Sequence, residues 1–365
     1  MPVVVFTDPH LGKNLISHTT QDSRRRLRDG IHRHIKYTLE GHNGSTKVCL
    51  GDLFDRFQNN EEVILQGLQL AGSVDYVMAG NHDSINDRDR IGTLQMLHQM
   101  GLDQVLLAPF GESKCFLHQV APGVHFVFVP HHSTDDLFQA SLKDASDWVK
   151  DMRQDGNQAK AYLCLHCNYD SGFATDDTAL SLSRKQANDL LKDGFDYILI
   201  GHDHHPREDW DGRVVILGNT HPTGFGDITP KRMLVIEDDG SHRFQPIWGP
   251  EGTYQEVTVA DLLADPDAVC DQVTGASFVQ VVGEVGADRV MDLARAIRKV
   301  WVTAQPMALR NKVEVTRVGG DEVVAGHEFD AIDQLIRADL GKRPDLVAQF
   351  DEYWAQTAPT VTEEE

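Results

Sequence analysis

Five short apolar runs in this sequence stop on the same kind of residue. Val3-Val4-Val5-Phe6 leads into Asp8-Pro9-His10, the run at 47–50 into Gly51-Asp52-Leu53-Phe54-Asp55, and the run at 74–78 into Gly80-Asn81-His82-Asp83. The run at 161–165 is followed by His166, and the run at 196–200 by Gly201-His202-Asp203-His204. Further β-branched runs lie at 124–129 and 214–217, and helix-period stretches fall near 22–39, 60–71, 89–100, 136–153 and 183–193. This alternation predicts a layered α/β domain. In such folds, ligand-binding residues collect just past the carboxyl ends of parallel strands. Five polar clusters delivered to one sheet edge thus constrain the fold and locate a site together.

The donors are carboxylates, imidazoles and one amide oxygen, without thiolate, a set suited to Mn²⁺, Fe²⁺ or Zn²⁺. They suffice for two ions sharing one carboxylate, and a pair about 3.5–4 Å apart can clamp a phosphoryl group. Over roughly residues 1–225 these motifs resemble those of the calcineurin-like metallophosphoesterases. The resemblance implies a four-layer α-β-β-α sandwich. It implies one ion held by Asp8, His10, Asp52 and His204, and a second by Asp52, Asn81, His166 and His202, with Asp52 bridging. His82 would be the general acid, and the Asp55 carboxylate would orient His82 and support its charged form.

A narrower resemblance is to the nuclease subunit (SbcD) of SbcCD-type DNA repair complexes. It is carried by Asp8-Pro9-His10-Leu11-Gly12, by the close spacing of the next two motifs, and by Gly218-Asn219-Thr220 with Phe225-Gly226-Asp227. Pro9 and Cys167-Asn168 depart from the usual pattern without removing a ligand. That family implies a Mn²⁺-dependent 3′-to-5′ exonuclease and single-strand endonuclease, with Mg²⁺, Fe²⁺ or Zn²⁺ as other ions the donors accept. A hydroxide shared by the two ions attacks the phosphodiester, and His82 protonates the departing 3′ oxygen. The family also implies a small α+β capping domain, and a C-terminal helical segment docking on an SbcC-type coiled-coil ATPase in DNA end processing, recombination and repair. It implies a homodimer through the helices carrying Ile64, Leu68, Ile91, Leu94, Met96 and Leu97, although a helix packed on its own sheet would show the same stripe.

The turn-rich stretch Trp248-Gly249-Pro250-Glu251-Gly252 predicts a boundary. Residues 1–250 are then the phosphoesterase nuclease domain and 251–320 the capping domain, with a strand at 277–284, a helix at 288–303 and a strand at 312–318. Residues 321–358 form the helical segment, with helices at 328–340 and 344–356 whose apolar stripes suit a partner or their own domain. Residues 359–365 form a disordered tail.

The net charge of −22 argues against binding nucleic acid by bulk charge, although bound ions can invert the local sign. The one dense basic stretch, Arg24-Arg25-Arg26-Leu27-Arg28 with Arg33 and Lys36, reads either as a DNA-phosphate surface or as a solvated helix face. The absence of a phosphate-loop motif places any ATP dependence on another chain. Five cysteines, no basic leader and no apolar run of membrane length predict a cytoplasmic or nucleoid-associated protein, or one of the host cytoplasm if viral. Cys164 and Cys167 sit on opposite faces of the predicted strand and cannot pair as a metal clip. His131, His132, His205 and His221 are loop histidines near the site without an assigned role. The alternative enzyme is a stand-alone phosphodiesterase or phosphatase for a small phosphate ester. A metal-binding scaffold without turnover is a further alternative.

Overall fold

The computed structural model describes residues 1–13, 21–84, 90–170, 180–222, 225, 229–248 and 254–316. The elements run β1 Val3–Phe6, α1 Gln21–Glu40, β2 Thr46–Cys49, α2 Glu61–Ala71, β3 Tyr76–Met78, α3 Thr93–Gln99, β4 Val105–Leu106, β5 Phe116–Ala121, β6 Val124–Val129 and α4 Asp135–Gln154. They continue with β7 Lys160–His166, β8 Asn168–Tyr169, β9 Ser181–Leu182, α5 Arg184–Asp193, β10 Tyr197–Gly201, β11 Arg207–Asp209, β12 Val214–Ile216, β13 Lys231–Ile236 and β14 His242–Trp248. The last are β15 Tyr254–Thr258, α6 Val259–Ala264, α7 Pro266–Val273, β16 Phe278–Gly286, α8 Val290–Thr303 and β17 Ala308–Thr316.

Two six-stranded sheets carry the first part of the chain. One has the order β14-β13-β1-β2-β3-β4, the other β11-β12-β10-β7-β6-β5. The predicted apolar runs are their parallel central strands, β1-β2-β3 in the first and β6-β7-β10-β12 in the second. Such strands are buried on both faces, which explains runs without polar alternation. Val3 and Val5 join a core shared with Phe126, Phe128, Tyr162 and Leu199 of the other sheet. Val4 and Phe6 point the opposite way, onto Leu27, Ile31 and Ile35 of α1 and Leu94 and Leu97 of α3. Ile198 and Ile200 likewise face Phe138 and Leu142 of α4 and Leu190 of α5. The cores thus stack helices, sheet, sheet, helices.

The apolar patterning does not reveal the antiparallel strands β5, β13 and β14. Their runs are short or broken by charge, as in Lys231-Arg232 and His242-Arg243. The unit from Tyr254 to Thr316 also departs from expectation. Its sheet, β15-β16-β17, is entirely parallel, with α6, α7 and α8 in the crossovers, so it is α/β rather than α+β. Helices α6 and α7 are not among the elements expected from the sequence. In the fold, Asp265 caps α7 through the amides of Asp267 and Ala268, with proline at its first turn. Phe278 and Ala308 of this unit join the α1 core. The expected helices at 328–340 and 344–356, the tail, Gly226, Asp227 and residues 249–252 lie outside the described residues.

Candidate metal centre

The loops after β1 and β2 are zipped together by backbone bonds, Asp8 N–H to the Gly51 carbonyl at 3.0 Å and His10 N–H to that of Asp52 at 3.0 Å. Asp8 (φ 55°), His10 (φ 43°), Asp52 (φ 51°) and His202 (φ 86°) all sit in the left-handed region. That is costly for residues with a Cβ and clusters at functional sites. Gly80 is required by close approach, since a Cβ there would run into the Asp52 carboxylate.

All seven expected ligand residues converge, in two groups. In the first, His10 Nε2 is 3.0 Å from His204 Nε2, and Asp8 Oδ1 is 3.7 Å and 3.8 Å from those two nitrogens. In the second, His166 Nε2 is 3.2 Å from Asp52 Oδ2 and 3.0 Å from Asn81 Oδ1, which is 2.9 Å from His202 Nδ1. Asp52 Oδ2 is also 3.8 Å from His10 Nε2, so this carboxylate stands between the groups. Its Oδ1 accepts from the His82 amide at 2.9 Å.

The donors fit divalent ions. Asp8 Oδ1 is buried without a hydrogen bond and faces the first group. Asp8 Oδ2 is held by the Thr7 hydroxyl at 2.6 Å and the His202 amide at 3.0 Å. Burial lowers the affinity of His10, His202 and His204 for protons, favouring the neutral imidazole that ligates. His166 Nδ1 donates to the Leu50 carbonyl at 2.8 Å, turning Nε2 toward the site. Burial opposes charge on both Asp52 and His166, but their mutual attraction dominates: Asp52 falls below the usual carboxylate range and His166 rises to about 10.

The Asp55 expectation needs correction in its geometry. His82 Nδ1 donates to the Asp55 carbonyl at 2.7 Å, whereas the Asp55 carboxylate lies against Lys13 and His10. The backbone path after β2 turns the carbonyl, rather than the side chain, toward His82.

Asp83 stands in its motif with no role expected from the sequence. Its buried carboxylate accepts from the amides of Leu53 (3.0 Å), Phe54 (3.0 Å) and Gly80 (3.1 Å), clamping the Asp52 loop to the Asn81–His82 loop. Burial, then the Asp52 charge, pushes it up to about 7 against those three bonds. Its only signal in the sequence is its place directly behind Asn81-His82. Lys13, equally unforeseen, carries none beyond being a cation three residues after His10.

Of the loop histidines, His131 is buried beside this centre, and burial drives it down to about 3. His132 packs on Ser141. His205 is exposed, and His221 is buried beside Thr220. Cys164 and Cys167 enter different cores, and burial raises both thiols.

Two arginines of the run, Arg26 and Arg28, are engaged within the protein. Arg26 stacks 3.6 Å over the Trp301 ring and donates to the carbonyls of Trp301 and Pro306. Arg28 pairs with Glu62. Arg25 is exposed, 3.8 Å from Asp29, and the Arg24 side chain lies outside the described residues. Leu94 and Leu97 of the proposed dimer stripe are buried in their own core, and Ile64, Leu68 and Met96 pack against it, leaving Ile91 exposed.

A family model described as calcineurin-like phosphoesterase matches residues 1–206. Among solved structures, the chain is similar to TT1561 of Thermus thermophilus at 8% identity and a TM-score of 0.40, covering 67% of this chain and 98% of that one. No curated protein matches this chain.

Proposed function

The chain belongs to the calcineurin-like phosphoesterase family, and from that premise we propose that it is a Mn²⁺-dependent DNA nuclease of the SbcD type. Hydrolysis of phosphoesters is the family's chemistry. The observation that carries the two-ion reading is Asp52, whose carboxylate lies between Asp8-His10-His204 and Asn81-His166-His202. When bound, two divalent ions supply Lewis-acid charge to the phosphoryl oxygens and an activated water.

The chain's own residues do the rest. Asp8, His10, Asp52 and His204 would hold one ion, and Asp52, Asn81, His166 and His202 the other. His82, partly exposed beside Asp52 and fixed through Nδ1, presents Nε2 as the proton source for the departing 3′ oxygen. DNA as substrate is supported by the resemblance of the run Gly218-Asn219-Thr220 and of the chain's layout to SbcD-type nucleases; within the fold, Asn219 accepts from the equally buried Lys231 at 2.7 Å. In this reading, residues 321–358 engage an SbcC-type ATPase and the active form is a homodimer.

One observation favours a small phosphate ester instead. The net charge is −22, and Arg26 and Arg28 are spent inside the protein. The decisive test is digestion of end-labelled linear DNA with Mn²⁺, beside an Asp52→Ala control. Mononucleotide release that falls by about 10²–10³ in the control, the scale on which removing a charge-stabilising group acts, is the expected result. Hydrolysis of aryl phosphodiesters with no DNA cleavage, even with an SbcC-type ATPase added, would favour the small-ester reading.

A further inference from the structure

Asp55 meets the site by two separate routes. Its carbonyl accepts from His82 Nδ1 at 2.7 Å. Its carboxylate takes other partners, with Oδ1 3.0 Å from Lys13 Nζ and 3.5 Å from His10 Nδ1. His10 Nδ1 is buried and has no hydrogen bond within the described residues. The other nitrogen of that ring, Nε2, faces His204, Asp8 and Asp52. A metal-binding imidazole is oriented by the group its second nitrogen meets, commonly a carboxylate.

The backbone closes the arrangement. The Asp55 amide donates to the Leu11 carbonyl at 2.9 Å, and the Lys13 amide to the His10 carbonyl at 3.1 Å. His10 and Lys13 therefore share one turn, and Asp55 is stitched to it. We infer that the Asp55 carboxylate is a positioning residue for His10, held in place by Lys13, and that Asp55 reaches His82 through its carbonyl alone. This rests on the two-ion reading above and gives the side chain a different duty from the one the family resemblance implies.

The test titrates Mn²⁺ into the full chain by calorimetry, for wild type, Asp55→Asn and Asp55→Ala, with metal-free melting temperatures measured in parallel. Wild type takes up two ions. Asp55→Ala weakens one of them by about 10–100-fold, the range for losing such a partner, while the other keeps its affinity. Asp55→Asn, which retains an oxygen for His10, falls in between. The ratio of turnover on aryl phosphodiesters with good and poor leaving groups stays at the wild-type value, because His82 keeps its carbonyl. Wild-type affinity for both ions in Asp55→Ala, with a changed leaving-group ratio, would overturn the inference and return the carboxylate to His82. If Asp55→Ala melts early, Lys13→Met releases the same carboxylate, and unchanged ion affinities there would overturn it equally. A wild-type chain that takes up no Mn²⁺ removes the two-ion reading itself, a result distinct from unchanged variants.

Discussion

His132 shows how single residues divide between chemistry and packing here. Burial lowers its proton affinity. Its Nε2 is 2.9 Å from the Ser141 hydroxyl and accepts from the Lys114 amide at 3.1 Å. The unfolded imidazole takes up its proton near pH 6.5, the folded one only at lower pH. The stability this residue contributes is therefore complete above about pH 6.5 and is lost as the pH falls from there toward the folded value. His132→Leu should cost about 1–3 kcal/mol at pH 7.5, the scale of a buried donor losing its partner. The gap between wild type and variant should narrow at pH 5. Urea unfolding at the two pH values checks this, and a gap independent of pH would show that the imidazole is not held neutral. At this scale the site's residue types were readable, because metal chemistry restricts them to carboxylate, imidazole and amide. The left-handed backbone at Asp8, His10, Asp52 and His202 was not, because it is imposed by packed neighbouring loops.

Helix α1 links the two parts of the described chain. Arg26 holds the end of α8 and the turn before β17 through Trp301 and Pro306, and Gly30 admits Met307, whose Sδ would stand 3.0 Å from a Cβ at that position. Arg26→Ala should destabilise the unit from Tyr254 to Thr316 by about 2–3 kcal/mol, from the ring stacking and the charged hydrogen bonds lost. Limited proteolysis should then cut this unit before the two-sheet domain, and an unchanged digestion pattern would contradict the assignment. Elements whose apolar period was long, α1, α4, α5 and the parallel central strands, were legible in the sequence within a few residues. The antiparallel strands β5, β13 and β14 were not, because their runs are short or carry charged residues and their pairing is set by the sheet they join. The predicted strand at 312–318 begins earlier, at Ala308, because its register is fixed by Phe278 of β16.

For the whole molecule, charge sets the terms on which a phosphate polymer could bind. With a net charge of −22 and Arg26 and Arg28 engaged internally, this chain alone should make few phosphate contacts. Its affinity for DNA should fall only weakly with salt, with a log–log slope below about 2 in magnitude, against roughly 0.9 per contacted phosphate. Fluorescence anisotropy between 50 and 200 mM salt reads this, and a slope of about 5 or more would reveal a basic surface outside the residues described. Among those residues, no helix is long and apolar enough to cross a membrane. The apolar stripe on α2 and α3 shows why surfaces resist sequence reading: one periodicity serves an interface or a core, and here Leu94 and Leu97 went to the core. The α/β layering and the carboxylate, imidazole and amide residues that converge at the candidate site were already written in residue order, since strand burial demands apolar runs and the polar clusters follow them along the chain. Folding was needed to make Asp55 offer His82 a carbonyl, to let Asp83 clamp two loops and to engage Arg26 and Arg28 with other segments of the chain, because each depends on distances between segments that are remote in sequence.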